Sequence, residues 1–510
     1  MQRRLAWRNE RVFYSDHCQK CQRPIVSQFS PEEKLIVYCE TCYWADGWAG
    51  QDYAQDFDFS KTFGEQFNQL NRAVPHMAMI HTKSTNAEYT HLAANNNNSY
   101  LLIESSDNEN CNYSYWLQNS RDCFDSSFSI KSELLYWSDN LEDCYKVFYS
   151  RSSQQCSNSY FLLNCHNVKN SFGCVNLSNQ KYCIFNEPKT KVEYEQFIHI
   201  LQLDTWEGVG RARQLVAEFT LKQPHKYSEI YEAERSTGNY QHHTKDCQWI
   251  FHGYEAEAAH YGEHVWRGAR DVMDVNTVGI KAELVYDAIN TALNVYQMRF
   301  TNQCWHHCNN VDYSMYCGSL QNGFGCVAIK KGQNLIFNKP IGEMEFKNLA
   351  QRIQTHMVET KEWGMFLDPK YSLFGYNETI ASEQFPLSQA EVQLRGWRWR
   401  KNLPGTFGPL TKPTPNIASC HNCAKQYRFI SQELAFYKAN AIPLPQLCPD
   451  CRHRSRMKER NPNYLWQRQC MCTQIDHQHS GRCATNFETT YSPDRKEIVY
   501  CEECYKKEVY

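Results

Sequence analysis

The sequence predicts a mainly β chain with flanking helices: a duplicated parallel β-solenoid-like body with three small cysteine-rich ribbons attached. Three observations carry that prediction. Residues 131 to 203 contain KSELLY, SFGCVNLSNQKYCIFNEP and EYEQFIHILQ, which return about 150 residues later as KAELVY, GFGCVAIKKGQNLIFNKP and EFKNLAQRIQ. Much of the first copy is rich in Asn, Ser, Cys, Tyr and Phe, with Cys111, Cys123, Cys144, Cys156 and Cys165 about 9 to 12 residues apart or at double that spacing. Finally, C-x2-C pairs gather towards both ends of the chain.

A chain of 510 residues that is 42% hydrophobic can bury several cores, so two to four folded units are expected. A net charge of -2 excludes a uniformly basic nucleic-acid coat. The 25 cysteines are odd in number and ten of them stand in C-x2-C pairs, which points to metal chelation in a reducing compartment rather than a secreted disulfide framework. The expected location is cytoplasmic. The opening MQRRLAWRNER lacks an apolar segment behind its charges, and no run of about 18 apolar residues occurs.

Residues 1 to 50 form the first predicted unit. Cys18, Cys21, Cys39 and Cys42 lie in CQKCQRPIVSQFSPEEKLIVYCETC, two knuckles joined by strand formers and a Ser30-Pro31 turn. Four thiolates from two tight turns make a closed tetrahedral shell for Zn2+, a structural site with no open position. The alternative is four reduced cysteines packed in a core. The arm before it carries Arg3, Arg4, Arg8 and Arg11 around Trp7.

Residues 51 to 203 and 204 to 357 are the two copies of the body. Phe63, Phe67 and Leu70 predict a helix over 60 to 75, and DTWEGVGRARQLVAEFTLKQPH predicts its counterpart before the second copy. Helical spacing over 191 to 203 and 343 to 355 predicts a closing helix for each copy, so each unit reads helix, solenoid, helix. Coils of such a body stabilise one another rather than themselves. Aligning the copies sets Val272 opposite Cys123, Asn294 opposite Cys144 and Leu335 opposite Cys183. A metal ligand could not be exchanged in this way, so these cysteines are read as packing. Cys304, His306, His307 and Cys308 in CWHHC have no such counterpart, and a metal there is weighed against ordinary packing.

Residues 358 to 415 are the predicted connector. Its one short helix has a capping box at Ser388 and Glu391 and runs into RGWRWRK. Those tryptophans can stack bases, or can anchor the connector while the basic groups stay in water. Residues 416 to 460 carry Cys420, Cys423, Cys448 and Cys451, a second double knuckle. Residues 461 to 510 copy the first ribbon: YSPDRKEIVYCEECY repeats FSPEEKLIVYCETCY, pairing Cys483, Cys501 and Cys504 with Cys21, Cys39 and Cys42. Ser480 falls where Cys18 should be and cannot serve as a usual zinc ligand. His479 is the expected fourth ligand, with Cys472 as first substitute and His477 or Cys470 as further alternatives. Three Zn2+ ions are therefore expected.

The residues around the second double knuckle resemble the small domain known as the probable zinc-ribbon domain, found in many uncharacterised bacterial proteins. The likeness covers residues 416 to 458 and implies metal binding without naming a reaction. The whole arrangement, ribbons at both ends of a Cys- and Asn-rich duplicated centre, is similar to a set of uncharacterised bacterial multi-zinc-ribbon proteins.

Residues 395 to 468 hold 14 Lys and Arg against three Asp and Glu, a local charge of +11. Arg452, Arg454, Arg456, Lys458 and Arg460 follow the second knuckle closely and could neutralise phosphates. The first expectation is thus a non-enzymatic zinc-binding scaffold or binding protein that contacts nucleic acid or an acidic protein surface through its C-terminal ribbons. The second is an enzyme acting on a polymer or glycan along the solenoid surface, with Asp122, Asp125, Asp271 and Asp274 as candidate carboxylates. The sequence carries no P-loop, dinucleotide fingerprint, nucleophile elbow or HExxH motif.

Overall fold

The computed structural model describes residues 1–274, 276–279, 289–292, 309–410, 414–477 and 479–509. The CWHHC cluster and Asn294 lie outside the described residues. Helix accounts for 25% and strand for 31%, so the chain is mixed rather than mainly β, with many parallel sheets.

The first copy is a stack of 12-residue coils. Tyr115 pairs in parallel with Ser127, Ser127 with Asp139 and Asp139 with Arg151. Single bridges extend the same step back to His91 and on to Val175. Within each coil, every third residue from Lys83 to Phe185 has positive φ near 50°, including bulky Tyr113, Trp116 and Phe128. Such a residue costs about 1–2 kcal/mol by itself. It persists here because each corner is held by backbone bonds to the coils before and after, for example Tyr113 N–H to Tyr100 O at 3.0 Å.

The residue after each corner points inward, so a coil of four corners encloses four side chains. These are small or moderate in size, as in Cys123, Ser126, Ser129 and Ser132, all buried. Inward hydroxyls join neighbouring coils: Ser114 Oγ donates to Asn112 O at 2.9 Å and accepts from Ser126 N–H at 3.1 Å. Inward thiols donate to carbonyls in the same way, with Cys123 Sγ 3.2 Å from Arg121 O. Outside, amide ladders run up the corners, Asn86 to Asn98 to Asn110 to Asp122 at 2.7, 2.6 and 3.0 Å. The expectation that central cysteines fill space matches this packing: Val272 and Leu335 are buried like Cys123 and Cys183.

The second copy is less regular. Its parallel step is 11 residues at Ile230 and Gln241, 12 at Gly238 and Ile250, and 13 at Glu263 and Asn276. Both copies end alike. The side chains of Asn186 and Asn338 each bracket the backbone of the previous coil, at Val175 and Val327, and a short hairpin follows.

The copies lie side by side and run in opposite directions. Trp116 meets Trp266 with ring centroids 4.0 Å apart and Phe128 stacks on His252 at 4.3 Å in the middle of the contact. The start of the first copy touches the end of the second through His76 and Tyr316. The start of the second touches the end of the first where Tyr231 Oη donates to Asn164 Oδ1 at 2.8 Å.

The helices exchange partners between the copies. Phe63–Ala73, capped by Thr62 and Glu65, precedes the first copy but buries Phe63, Phe67 and Leu70 against Tyr313, Phe324 and Phe337 of the second. Trp206–Thr220 precedes the second copy but packs Ala212 and Val216 against Phe172 and Ile184 of the first. The order helix, coils, helix holds along the chain, while each leading helix closes the other copy's end.

Candidate functional site

Strand pairing fixes the outer ribbons to the body. Val37–Tyr38 pairs in parallel with His76–Met77, the first strand of copy one, and Ile498–Tyr500 pairs with Pro224–Lys226, the first strand of copy two. Each ribbon therefore sits at the entry of one stack.

In the first ribbon the donor sulfurs of Cys18, Cys21, Cys39 and Cys42 lie within 4.8 Å of one another. A tetrahedron with metal–sulfur bonds of about 2.3 Å has edges of about 3.8 Å. Cys21 and Cys39 sulfurs are 3.9 Å apart, and Cys423 and Cys448 sulfurs in the second ribbon are 3.7 Å apart. The residues present fit such an ion. The knuckle backbone points its N–H groups at sulfur, as in Cys39 N–H to Cys18 Sγ at 3.3 Å. Burial pushes the Cys18 thiol up, but amides of Cys21, Cys39 and Lys20 outweigh it and bring the group down to about 6. Cys420 follows the same balance, also to about 6, through amides of Cys448, Cys423 and Asn422. Cys420, Cys423, Cys448 and Cys451 form the second four-sulfur group.

The third group differs from the sequence expectation. The structure gathers Cys470, Cys483, Cys501 and Cys504, so Cys470 stands where His479 was expected. The backbone explains it. Gln19 N–H bonds Val37 O and Cys39 N–H reaches Cys18 Sγ in the first ribbon; Met471 N–H bonds Val499 O and Cys501 N–H reaches Cys470 Sγ in the third. Cys470 is thus the counterpart of Cys18, separated from Cys483 by an insertion. His479 belongs to an adjoining group with Cys472, His477 and Cys504. Among the described residues no central cysteine joins a group of three or more metal-type donors.

The basic run after the second knuckle does not face solvent as a phosphate-binding strip. It lies on the helix Pro449–Glu459 and just beyond, wedged against both stacks. Arg452, 1% exposed, is 3.0 Å from Asp125 and 3.2 Å from Glu433. Arg456 is 2.7 Å from Asp125, and Arg460 pairs with Asp139 and His252. Arg454 and Lys458 are exposed. Asp125 is consumed by these pairs, Asp122 ends the corner ladder and Asp274 faces Arg4, so the four candidate carboxylates do not form one site. In RGWRWRK the tryptophans do anchor the connector, Trp397 stacking on Tyr376, but Arg398 and Arg400 pair with Glu33 rather than standing in water.

Sequence reading missed a cleft of about 420 Å³ between the stacks. Copy one supplies Trp116, Phe128, Asn140, Glu142 and Asn164, and copy two supplies Glu229, Tyr231, Tyr240, His242 and Tyr254. Burial pushes the carboxyls of Glu142 and Glu229 up and brings His242 down to about 4. Its one signal in the sequence is the aromatic richness of both copies.

The chain matches no protein-family model and no curated protein. The geometry defines a chain with four-cysteine groups that could hold metal ions. Among the described residues no helix is long and apolar enough to cross a membrane.

Proposed function

We propose that the protein is a zinc-stabilised binding scaffold: two antiparallel β-solenoids clamped by three zinc ribbons, with the cleft between them as the ligand site. The cleft carries this reading. Rings from both stacks offer flat apolar faces, while Asn140, Asn164, Glu142 and Glu229 offer donors and acceptors, the mix that holds a small polar ligand with one apolar face, such as a sugar ring. Thiolate-rich tetrahedral shells suit Zn2+. The cysteines of the three ribbons are thiols rather than disulfides, which supports a reducing, cytoplasmic setting. The boundaries 1–50, 51–203, 204–357, 358–415, 416–460 and 461–510 describe the working units.

A second reading, an enzyme acting on a glycan, draws on one observation: two carboxyls raised by burial share an aromatic cleft, as a general acid requires. Because Arg452, Arg456 and Arg460 are engaged internally, the nucleic-acid expectation has little surface to rest on. The test is titration of the intact, metal-loaded protein with a panel of soluble oligosaccharides, read by tryptophan fluorescence and calorimetry. Binding that is lost in Trp116→Ala and Tyr240→Ala supports the cleft. Binding by no member, or binding indifferent to both variants, sinks it. Product release by wild type but not Glu229→Gln would select the enzyme.

A further inference from the structure

The first and third ribbons share strands, turn and C-terminal knuckle, but differ in one place. Six residues separate Tyr14–His17 from Pro24–Ser27, whereas 16 separate Trp466–Gln469 from Asn486–Thr489. The paired strands keep the same register, Tyr14 with Ser27 and Trp466 with Thr489, so the extra ten residues are confined to the knuckle. They carry Cys472, His477 and His479.

These side chains fold back onto the metal group. Donor atoms of Cys472, His477, His479 and Cys504 lie within 4.8 Å of one another, and Cys504 belongs also to the Cys470, Cys483 and Cys501 group. The histidines are turned as ligands are. His477 places Nδ1 3.2 Å from Cys472 Sγ with Nε2 3.6 Å from the Glu508 carboxylate. His479 places Nε2 3.5 Å from Cys504 Sγ while Nδ1 bonds Gly481 O at 2.9 Å. A carbonyl oxygen can only accept, so Nδ1 of His479 carries the proton and, in the neutral ring, a lone pair faces Cys504. Tying the outer ring nitrogen to a carboxylate or carbonyl is the usual way a protein aims a histidine at a metal.

We propose that the third ribbon is binuclear: Cys504 bridges two Zn2+ ions, one completed by Cys470, Cys483 and Cys501 and the other by Cys472, His477 and His479. Seven side chains then give each ion four donors. With about 2.3 Å from each ion to the shared sulfur, the two ions lie no more than about 4.6 Å apart. The inference rests on reading the four-cysteine groups as zinc sites, and the intact protein then carries four ions rather than three.

Metal content of the purified full-length chain, measured by native mass spectrometry, tests it. Four zinc ions are expected, and three in a His477→Ala/His479→Ala variant. Three ions in wild type, or four in the variant, overturns the proposal while leaving the ribbons intact; two or fewer in wild type overturns the ribbon reading as well. Wild-type protein reconstituted with ¹¹³Cd needs no substitution. Two of its resonances should show mutual spin coupling through the bridging sulfur, one of them shifted towards nitrogen ligation. Four uncoupled resonances, or none with nitrogen ligation, overturn the bridge.

Discussion

His76 and His225 occupy the same place in the two halves of the molecule. Each lies in the first strand of a coil stack, paired with a ribbon strand, and each ring nitrogen meets a carbonyl at the end of the preceding helix, Asn71 O at 2.7 Å and Thr220 O at 3.2 Å. Each ring also packs on an aromatic side chain of its ribbon, Phe29 and Tyr491. Helix, stack and ribbon thus meet at one imidazole per half, and the duplication extends beyond the body to the way the ribbons dock.

Burial brings both histidines down to about 4, so the folded state holds them neutral. With an unfolded value near 6.5, the unfolded chain binds more protons between those two values. Their contribution is fully present above pH about 6.5 and is lost as pH falls towards 4, at up to about 1.4 kcal/mol per pH unit for each ring. Urea unfolding at pH 7.5 and 5.5 should show the midpoint falling with acid, and His76→Gln/His225→Gln should flatten that fall. An unchanged slope in the variant would show that other groups set the acid limit.

Asp125 sits between Arg452 and Arg456 with no exposure. Asp125→Asn leaves two buried guanidiniums short of charge, and breaking a buried pair costs about 3–5 kcal/mol. Lys458→Ala on the exposed face of the same helix should stay within about 0.5 kcal/mol. Equal effects in chemical denaturation would mean the helix is not wedged as described.

Central and terminal cysteines should separate cleanly. Cys123→Val installs the side chain that its counterpart Val272 already provides, so zinc content should not change and stability should shift by less than about 1.5 kcal/mol. Cys18→Ser removes one corner of a tetrahedron, and one ion should be lost. A metal count that drops in Cys123→Val contradicts the packing role.

Much of this was legible in the residues, for identifiable reasons. The duplication shows because the bracketing Asn186 and Asn338 end phrases that share FGCV at the start and IFN at the end, FGCVNLSNQKYCIFN and FGCVAIKKGQNLIFN. The three-residue step inside each coil was missed, since its inward positions mix Ser, Cys, Leu and Asn and so carry no hydrophobic period. Cys470 ranked only as a further alternative to His479 because the C-x2-C rule looks three residues ahead, and its partner Cys483 lies beyond an insertion. The charge count saw Arg452 and Arg456 but not Asp125, which reaches them from more than 300 residues away.

The exchanged helices were illegible for a simpler reason: an apolar stripe states that a helix must be covered, not by what. That exchange is testable. Phe67 is fully buried among residues of the second stack's end, and Phe→Ala at such a position costs about 3–5 kcal/mol. If Phe63–Ala73 closes the second stack, Phe67→Ala should raise native-state amide exchange over residues 313 to 340 more than over 97 to 130 of the adjoining copy. The reciprocal change, Ala212→Asp in Trp206–Thr220, should open residues 160 to 185 first. Exposure of each helix's own downstream coils instead would show that the units are self-contained and that the crossed contacts contribute little to either end.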